Sequence, residues 1–180
     1  MKKVYLIHGT STRDDDWFPW LEQAVAPAIQ LERLWLPEPF NPDVQAWDRA
    51  IDDQITKDDD LTIVAHSLGC IAALRFIQRQ SLHNVRLILV GGAFAQPLPS
   101  YPELDDFMKP AIDLKKLQDK VSQAVVITAQ NDPIAPYQYS VAVANQLGAK
   151  LILRPTGGHF LTADGFREFP LVKTELEKMV

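Results

Sequence analysis

Cysteine is almost absent from this sequence, with Cys70 the only one among 180 residues. A single cysteine cannot form a disulfide within the chain, and a lack of disulfides is typical of reducing compartments. The apolar run after Lys2 and Lys3 ends at His8, which is too short for the hydrophobic region of a signal peptide. We therefore expect a cytoplasmic protein.

Long hydrophobic runs and basic clusters are also lacking. No stretch approaches the ~18 apolar residues that a membrane-spanning helix needs. Lysine and arginine never occur in runs longer than a pair, and the formal net charge is −5. Nucleic-acid binders usually carry a basic surface, and anionic membranes attract basic clusters. The sequence therefore predicts neither a nucleic-acid partner nor a membrane partner.

Motifs for metals and nucleotide cofactors are missing as well. The sequence contains no H-E-x-x-H motif and no pair of cysteines, so no metal-ligand spacing is present. It also lacks G-x-G-x-x-G and the phosphate-binding motif G-x-x-x-x-G-K followed by Ser or Thr. We expect a protein that works without a metal or cofactor.

Short apolar runs rich in β-branched residues recur along the chain. Their nearly continuous hydrophobicity is typical of strands that are covered on both faces of a sheet. The predicted strands are Val4–Ile7, Leu31–Leu36, Leu61–Ala65, Val85–Val90, Ala124–Ala129 and Lys150–Leu153.

Segments with helical patterns lie between these strands. Val44, Trp47, Ile51 and Ile55 recur at three- and four-residue steps, which places them on one face of a helix. Further helices are predicted at Leu68–Gln80, Ser140–Leu147 and Leu171–Val180. The alternation predicts an α/β fold, a three-layer sandwich with a mostly parallel sheet of about six strands. We expect one domain over residues 1–180.

The segment 91–120 contains Pro97, Pro99, Pro102 and Pro110 and connects two predicted strands. A connection of this length is often functional, for example as a lid over a site. It is equally consistent with a surface excursion that contains a short helix or two. The sequence leaves both interpretations open.

The strongest local signal for chemistry is Ser67, which follows an apolar strand directly and precedes a predicted helix. Gly69 comes two residues later, as in the nucleophile elbow G-x-S-x-G, although Ala65 replaces the first glycine. Such a turn presents the hydroxyl at a helix N-terminus, where the helix dipole favours developing negative charge. The alternative is that Ser67 simply caps the helix.

A catalytic serine needs a histidine base, which in turn needs an acid to orient it. In α/β hydrolases these follow the serine in the order acid, then histidine. His159 lies in a glycine-rich loop after the last predicted strand, and Asp132 follows the strand before it. Asp164 is the alternative acid, but it comes after the histidine. His66 should point away from the nucleophile, and His83 is predicted to be a surface residue.

Two backbone N–H groups could form an oxyanion hole. Leu68 follows the predicted nucleophile, and Thr10 follows the first strand through His8 and Gly9. The alternative for residues 8–10 is a simple turn at the end of a strand. All of these features fall at the carboxyl ends of predicted strands, the edge where parallel sheets bind ligands.

Five aromatic residues in predicted loops are candidates for the walls of a substrate pocket, although aromatic residues also commonly pack in the core. They are Trp17, Phe18, Phe94, Tyr137 and Phe160. The acidic runs Asp14–Asp16 and Asp58–Asp60 are expected to form solvated turns and helix caps.

The sequence resembles the family of small α/β hydrolases that includes the bacterial YdeN protein and mammalian retinoblastoma-binding protein 9. The similarity is clearest at Tyr5–Gly9, Trp17–Leu21, Val64–Cys70, at Asp132 with its following prolines, and from Gly157–Phe160 to Pro170. The resemblance implies a compact hydrolase without a large cap domain. It also implies the same assignment of Ser67, Asp132 and His159. The mammalian relative is associated with protein binding as well as hydrolysis.

These features together predict a serine hydrolase acting on a small-molecule acyl substrate, with a carboxylesterase as the first expectation. Thioesterase, acyltransferase and peptidase activities remain alternatives because the same three residues serve all of them. A further alternative is a protein-binding module that keeps the hydrolase fold with little activity.

Overall fold

Six strands form one fully parallel sheet in the computed structural model, which describes residues 1–180. The order across the sheet is β2-β1-β3-β4-β5-β6. The strands are β1 Lys2–Ile7, β2 Ile29–Arg33, β3 Thr62–His66, β4 Val85–Val90, β5 Val121–Ala129 and β6 Lys150–Arg154. This topology confirms the prediction of an α/β fold with a parallel sheet of about six strands.

Seven α-helices accompany the strands and cover both faces of the sheet. They are α1 Phe18–Val25, α2 Val44–Gln54, α3 Leu68–Arg79, α4 Asp105–Met108, α5 Leu114–Leu117, α6 Tyr137–Leu147 and α7 Pro170–Met179. No helix combines the length and hydrophobicity required for a membrane crossing. Single turns of 3-10 helix occur at Pro102–Leu104 and Thr162–Asp164.

The core is divided into two clusters, one on each face of the sheet. Because successive side chains of a strand point to opposite faces, Tyr5 and Ile7 join one cluster while Val4 and Leu6 join the other. Helices α2 to α6 cover the first cluster, and α1 and α7 cover the second. The result is the predicted three-layer sandwich.

The predicted position of strand β2, which was based on hydrophobicity alone, differs from the observed one. The apolar run predicted a strand at Leu31–Leu36, but β2 spans Ile29–Arg33. Leu34 and Leu36 are buried without belonging to the strand, because they pack in the same cluster as Trp47 of α2. Helix α1 was not predicted from the sequence, although its start carries a proline in the first turn, as helices often do.

The segment 91–120 packs over the carboxyl edge of the sheet and is anchored by Arg75 of α3. Arg75 is buried, and its Nη1 donates to the carbonyl oxygen of Phe107 at 2.6 Å. The guanidinium carbon lies 4.2 Å from the centre of the Phe107 ring, which also packs against Trp47. Burial lowers the pKa of Arg75 to about 10, so it remains charged at neutral pH.

Helix α3 begins so close to the end of β1 that only glycine fits at position 69. A Cβ atom at Gly69 would overlap the backbone carbonyl oxygens of Ile7 and His8. Backbone atoms of a central strand cannot move aside as a flexible side chain can. This contact fixes the height of the α3 N-terminus above the sheet.

Replacing Gly69 with alanine tests this packing. Helix propensity alone favours alanine over glycine by up to ~1 kcal/mol. We expect the opposite sign here, with a loss of about 1–3 kcal/mol typical of overpacked sites. The measurement is the free energy of unfolding from urea titration. A variant as stable as the natural protein would show that the contact is not tight.

Candidate active site

Ser67 occupies a strained turn between β3 and α3. Its backbone has φ 55° and ψ −129°, a conformation that residues with a side chain seldom adopt. The Ser67 N–H donates to the carbonyl oxygen of Val90 at 2.9 Å. A Cβ atom at Gly92 would lie 2.6 Å from the Ser67 Cα. The neighbouring strand end therefore encloses the turn and holds it in this conformation.

His159 lies in the loop that follows β6, and hydrogen bonds to the loop backbone hold it. The N–H of Gly158 donates to Oδ1 of Asn131 at 2.9 Å, and the N–H of His159 donates to Oδ2 of Asp164 at 3.0 Å. The next residue, Phe160, has φ 59°, which bends the chain sharply after the histidine. The imidazole is thereby directed toward Ser67.

Two hydrogen bonds connect Ser67, His159 and Asp132. Nε2 of His159 lies 2.8 Å from Oγ of Ser67, and Nδ1 lies 2.8 Å from Oδ2 of Asp132. The His159 side chain is 4% exposed and the Asp132 side chain 0%. A carboxylate only accepts hydrogen bonds, so an ionised Asp132 places the proton of the neutral imidazole on Nδ1. Nε2 is then free to accept from the serine hydroxyl.

Backbone N–H groups fix the Asp132 carboxylate in position. Its Oδ1 accepts from Ile134 at 2.8 Å and from Ala135 at 3.0 Å. Its Oδ2 remains available for the imidazole. Asp164, the alternative acid, instead accepts from the backbone N–H groups of His159 and Leu161. Asp164 therefore supports the loop, and no hydrogen bond joins it to the imidazole.

Asp16 also supports this loop, which its acidic run did not predict. Its Oδ1 accepts from the N–H of Thr162 at 2.7 Å, joining the loop after β1 to the loop after β6. Burial raises the pKa of Asp16 above its usual value. The expectation of a solvated turn is therefore wrong for Asp16, because the loop around Thr162, 146 residues further along the chain, packs against it.

The candidate oxyanion residues lie beside Ser67. Leu68 is the first residue of α3, so its N–H has no partner within the helix. A Cβ atom at Gly9 would lie 2.9 Å from the Leu68 nitrogen, so the loop after β1 passes directly over the elbow. Thr10 and Leu68 both line the same cavity as Ser67. The assignment of their backbone N–H groups to an oxyanion hole stays a prediction.

A cavity of about 220 Å³ opens at Ser67 and is mostly apolar. No Asp, Glu, Lys or Arg residue lines it. The lining residues are Thr10, Ser11, His66, Ser67, Leu68, Phe94, Leu98, Tyr101, Leu104, Ile134, His159 and Leu161. We call Phe94, Leu98, Tyr101, Leu104, Ile134 and Leu161 the apolar wall. Four of these six come from the segment 91–120.

Of the five aromatic residues predicted to form pocket walls, only Phe94 lines this cavity. Trp17, Phe18 and Phe160 are completely buried in the cluster beneath α1 and α7. Trp17 packs edge-on against Phe18, and Phe160 stacks on Phe169 at 5.1 Å. For these three the prediction is wrong, because large rings are buried more completely between sheet and helix than at the edge.

Tyr137 lies outside the cavity lining, at the first position of α6, so its prediction as a pocket residue is wrong too. The sequence analysis also missed Ser11, whose Oγ is buried beside the cavity without a hydrogen-bond partner. It missed the apolar wall residues other than Phe94. The length and proline content of the segment 91–120 were the only signals for Leu98, Tyr101 and Leu104, and no signal pointed to Ile134 or Leu161.

His66 lies directly behind His159. Its Nε2 is 2.8 Å from the backbone carbonyl oxygen of His159, and the two rings are 5.2 Å apart. A carbonyl only accepts hydrogen bonds, so Nε2 carries the proton, and Nδ1 is buried without a partner. Burial, reinforced by the nearby His159, lowers the pKa of His66 to about 3. His66 is therefore a neutral donor that holds the loop backbone.

Comparisons with known proteins show the family to which this chain belongs and agree with its fold. The chain matches the model of the serine hydrolase family over residues 4–178, and it belongs to that family. It is 37% identical over 176 residues to the Bacillus subtilis protein YdeN, covering 95% of this chain and 92% of YdeN. It is 23% identical over 180 residues to the serine hydrolase RBBP9 of Rattus norvegicus, covering 97% and 95%.

Solved structures show the same α/β-hydrolase architecture. The crystal structure of the Bacillus subtilis ydeN gene product superimposes with a TM-score of 0.94 at 35% identity, covering 99% of this chain and 98% of that one. Est1E from Butyrivibrio proteoclasticus, solved with ferulic acid, gives a TM-score of 0.69 at 15% identity, covering 99% and 87%. At that identity the second match shows the fold alone. The family resemblance expected from the sequence is confirmed.

Replacing His66 with glutamine tests the buried neutral imidazole. Below about pH 6.5 the unfolded chain protonates His66 and the folded protein does not, so stability falls as the pH decreases toward 3. Glutamine does not titrate. Between pH 7 and about pH 4.5, we expect the variant to lose about 2 kcal/mol less stability than the natural protein.

Urea unfolding of both proteins at the two pH values measures this difference. The pKa of His8 is also lowered by burial, but His8 is present in both proteins and cancels in the comparison. Equal losses for the two proteins would contradict the depressed pKa of His66.

Proposed function

We propose that the protein is a carboxylesterase that cleaves small acyl esters through a covalent intermediate on Ser67. The observation that carries this proposal is the chain of two 2.8 Å hydrogen bonds from Asp132 through His159 to Ser67. It lies at the carboxyl edge of a parallel sheet, beside an apolar cavity. Membership of the serine hydrolase family supports the same conclusion.

In the proposed reaction, Ser67 Oγ attacks the ester carbonyl carbon while Nε2 of His159 accepts the hydroxyl proton. The N–H groups of Leu68 and Thr10 stabilise the negative charge that develops on the carbonyl oxygen. His159 then gives its proton to the departing alcohol. Water attacks the acyl-enzyme by the same route, returning the proton to Ser67 and releasing the acid.

Asp132 has two functions in this mechanism. It keeps the proton of the neutral imidazole on Nδ1, and its charge stabilises the imidazolium that forms as Ser67 attacks. The two backbone N–H groups on Oδ1 hold the carboxylate in place without using the oxygen that faces His159. The geometry is therefore assembled before substrate binds, which is the property that makes such hydrogen bonds effective in catalysis.

Covalent labelling by a fluorophosphonate tests whether Ser67 is the nucleophile. We expect a single adduct on the natural protein by intact mass and none on Ser67→Ala. Only the phosphonylated serine, formed with release of fluoride, should appear, because burial raises the pKa of the Cys70 thiol to about 12 and keeps it protonated. The reagent tests an activated serine without requiring knowledge of the substrate.

Absence of an adduct on the folded natural protein would remove the basis for an esterase and favour a protein-binding role. If labelling succeeds, a panel of esters, thioesters and peptides of the same acyl group decides between the hydrolytic reactions. Fastest turnover of a thioester or peptide would replace the carboxylesterase assignment.

Asparagine variants of two aspartates near His159 form a matched pair that tests which of them is the catalytic acid. Asp132→Asn should reduce kcat by up to ~10⁴, because the amide no longer selects the correct imidazole tautomer. Asp164→Asn should reduce kcat by less than about tenfold, because its remaining carbonyl oxygen can still accept from the loop backbone. Steady-state kinetics on one ester measures both. The reverse order would move the acid from Asp132 to Asp164.

A further inference from the structure

The lining of the cavity at Ser67 combines a few polar groups with a larger apolar surface. Ser67, His159, Thr10 and Ser11 provide the polar groups. The rest is the apolar wall together with the side chains of Leu68 and His66. Since no Asp, Glu, Lys or Arg side chain lines the cavity, a charge on the far part of a substrate would be buried without a partner. Burial of an unpaired charge is strongly unfavourable.

The volume of the cavity limits the size of the group it can hold. A dry protein cavity of ~150 Å³ binds one benzene molecule, which has six carbons. At the same density, the 220 Å³ present here holds about eight or nine carbon-sized atoms. A linear acyl chain of six to eight carbons fits that space. An acetyl group would leave most of it empty, and a much longer chain would extend into solvent.

The acyl group, not the alcohol, is the part of an ester that suits this cavity. The acyl group stays bonded to Ser67 through both halves of the proposed reaction, whereas the alcohol leaves after the first. The cavity opens at Ser67 itself, and Ser67 is only 9% exposed. The group attached to Oγ must therefore lie against the apolar wall for the lifetime of the intermediate.

The apolar wall is fixed before substrate binds. Leu98 is 3% exposed and belongs to the same core cluster as Trp47 and Phe107. Phe107, a few residues further along the segment 91–120, is held by the hydrogen bond and ring contact from buried Arg75. A wall anchored in the core sets a definite depth for the cavity.

We propose that the enzyme selects neutral, unbranched acyl groups of six to eight carbons, and that Leu98 limits the length of the acyl chain. This specificity rests on the proposed esterase function. In this proposal the segment 91–120 covers the acyl group and thereby determines substrate specificity.

A series of 4-nitrophenyl esters with acyl chains from two to twelve carbons tests the proposal on the natural protein. Burial of each methylene should raise kcat/KM about fourfold, so hexanoate should exceed acetate by about 10²-fold. The value should decline beyond eight carbons. The monoester of hexanedioic acid, in which a carboxylate replaces the terminal methyl group of the same six-carbon chain, should react at least ~100-fold more slowly than hexanoate.

A second series keeps the acetyl group and lengthens the alcohol from two to ten carbons. We expect kcat/KM to change less than about tenfold across it. A chain-length dependence in this series, with a flat acyl series, would place the alcohol in the cavity and overturn the proposal. A maximum at acetate, or equal rates for hexanoate and the hexanedioic monoester, would also overturn it.

Two leucine variants locate the limit on chain length. Leu98→Ala should move the optimum at least two carbons longer, because the removed side chain adds its volume to the cavity. Leu82→Ala removes the same atoms from an equally buried leucine outside the cavity and should leave the optimum unchanged. Leu98→Val, a milder change, replaces Leu98→Ala if that variant does not fold. An unchanged optimum in a folded Leu98 variant contradicts its assignment.

Fluorophosphonate labelling distinguishes a failure of the proposed esterase function from a failure of the proposed acyl-chain specificity. If the natural protein is neither labelled nor active on any ester, the proposed esterase function fails. If it is labelled and cleaves esters without chain-length preference, only the specificity proposal fails. If it is labelled but cleaves none of these esters, the assignment of neutral six-to-eight-carbon acyl esters as substrates is wrong.

Discussion

The close packing of backbone around Ser67 is the constraint on which the site depends. Ser67 holds a positive φ that a residue with a side chain adopts only when its surroundings enforce it. Three glycines come close enough to enforce it. Gly69 packs on the end of β1, and a Cβ at Gly9 or Gly92 would crowd the elbow itself. The hydroxyl is therefore held at one position, and every other part of the site is arranged relative to it.

His159 is positioned by contacts from several parts of the chain, since it lies in a loop between β6 and α7 and not within a strand or an α-helix. His66 holds its carbonyl oxygen, Asp164 its N–H, and Asp132 its imidazole. Asn131 and Asp16 fix the residues on either side. An imidazole that must transfer a proton over 2.8 Å tolerates little displacement, so this number of loop contacts is consistent with a proton-transfer role.

The segment 91–120 contacts both the cavity at Ser67 and the hydrophobic core. Its first part contributes to the apolar wall, and its later part contacts Arg75 and Trp47. The same segment thus closes the cavity and completes a core cluster. This arrangement explains how a chain of 180 residues encloses a cavity without a separate cap domain.

The parallel α/β fold and the positions of the three candidate catalytic residues along the chain follow from local patterns in the sequence. Apolar runs identify strands because both faces of this sheet are buried, and a residue placed directly after such a run must lie at the carboxyl edge. That reasoning selected Ser67, Asp132 and His159, and in the structure hydrogen bonds join His159 to each of the other two. The family resemblance selected the same three residues.

The side chains that surround these three residues could be identified only from the folded chain. Trp17, Phe18 and Phe160 lie next to motif residues in the sequence, yet they turn into the core. Leu98 and His66 line the cavity, although neither carries a local signal for that position. The physical reason is that burial depends on which distant elements cover a residue. Local hydrophobic periodicity predicts whether a segment forms a strand or a helix. It does not predict the contacts between these elements, which form only when the chain folds.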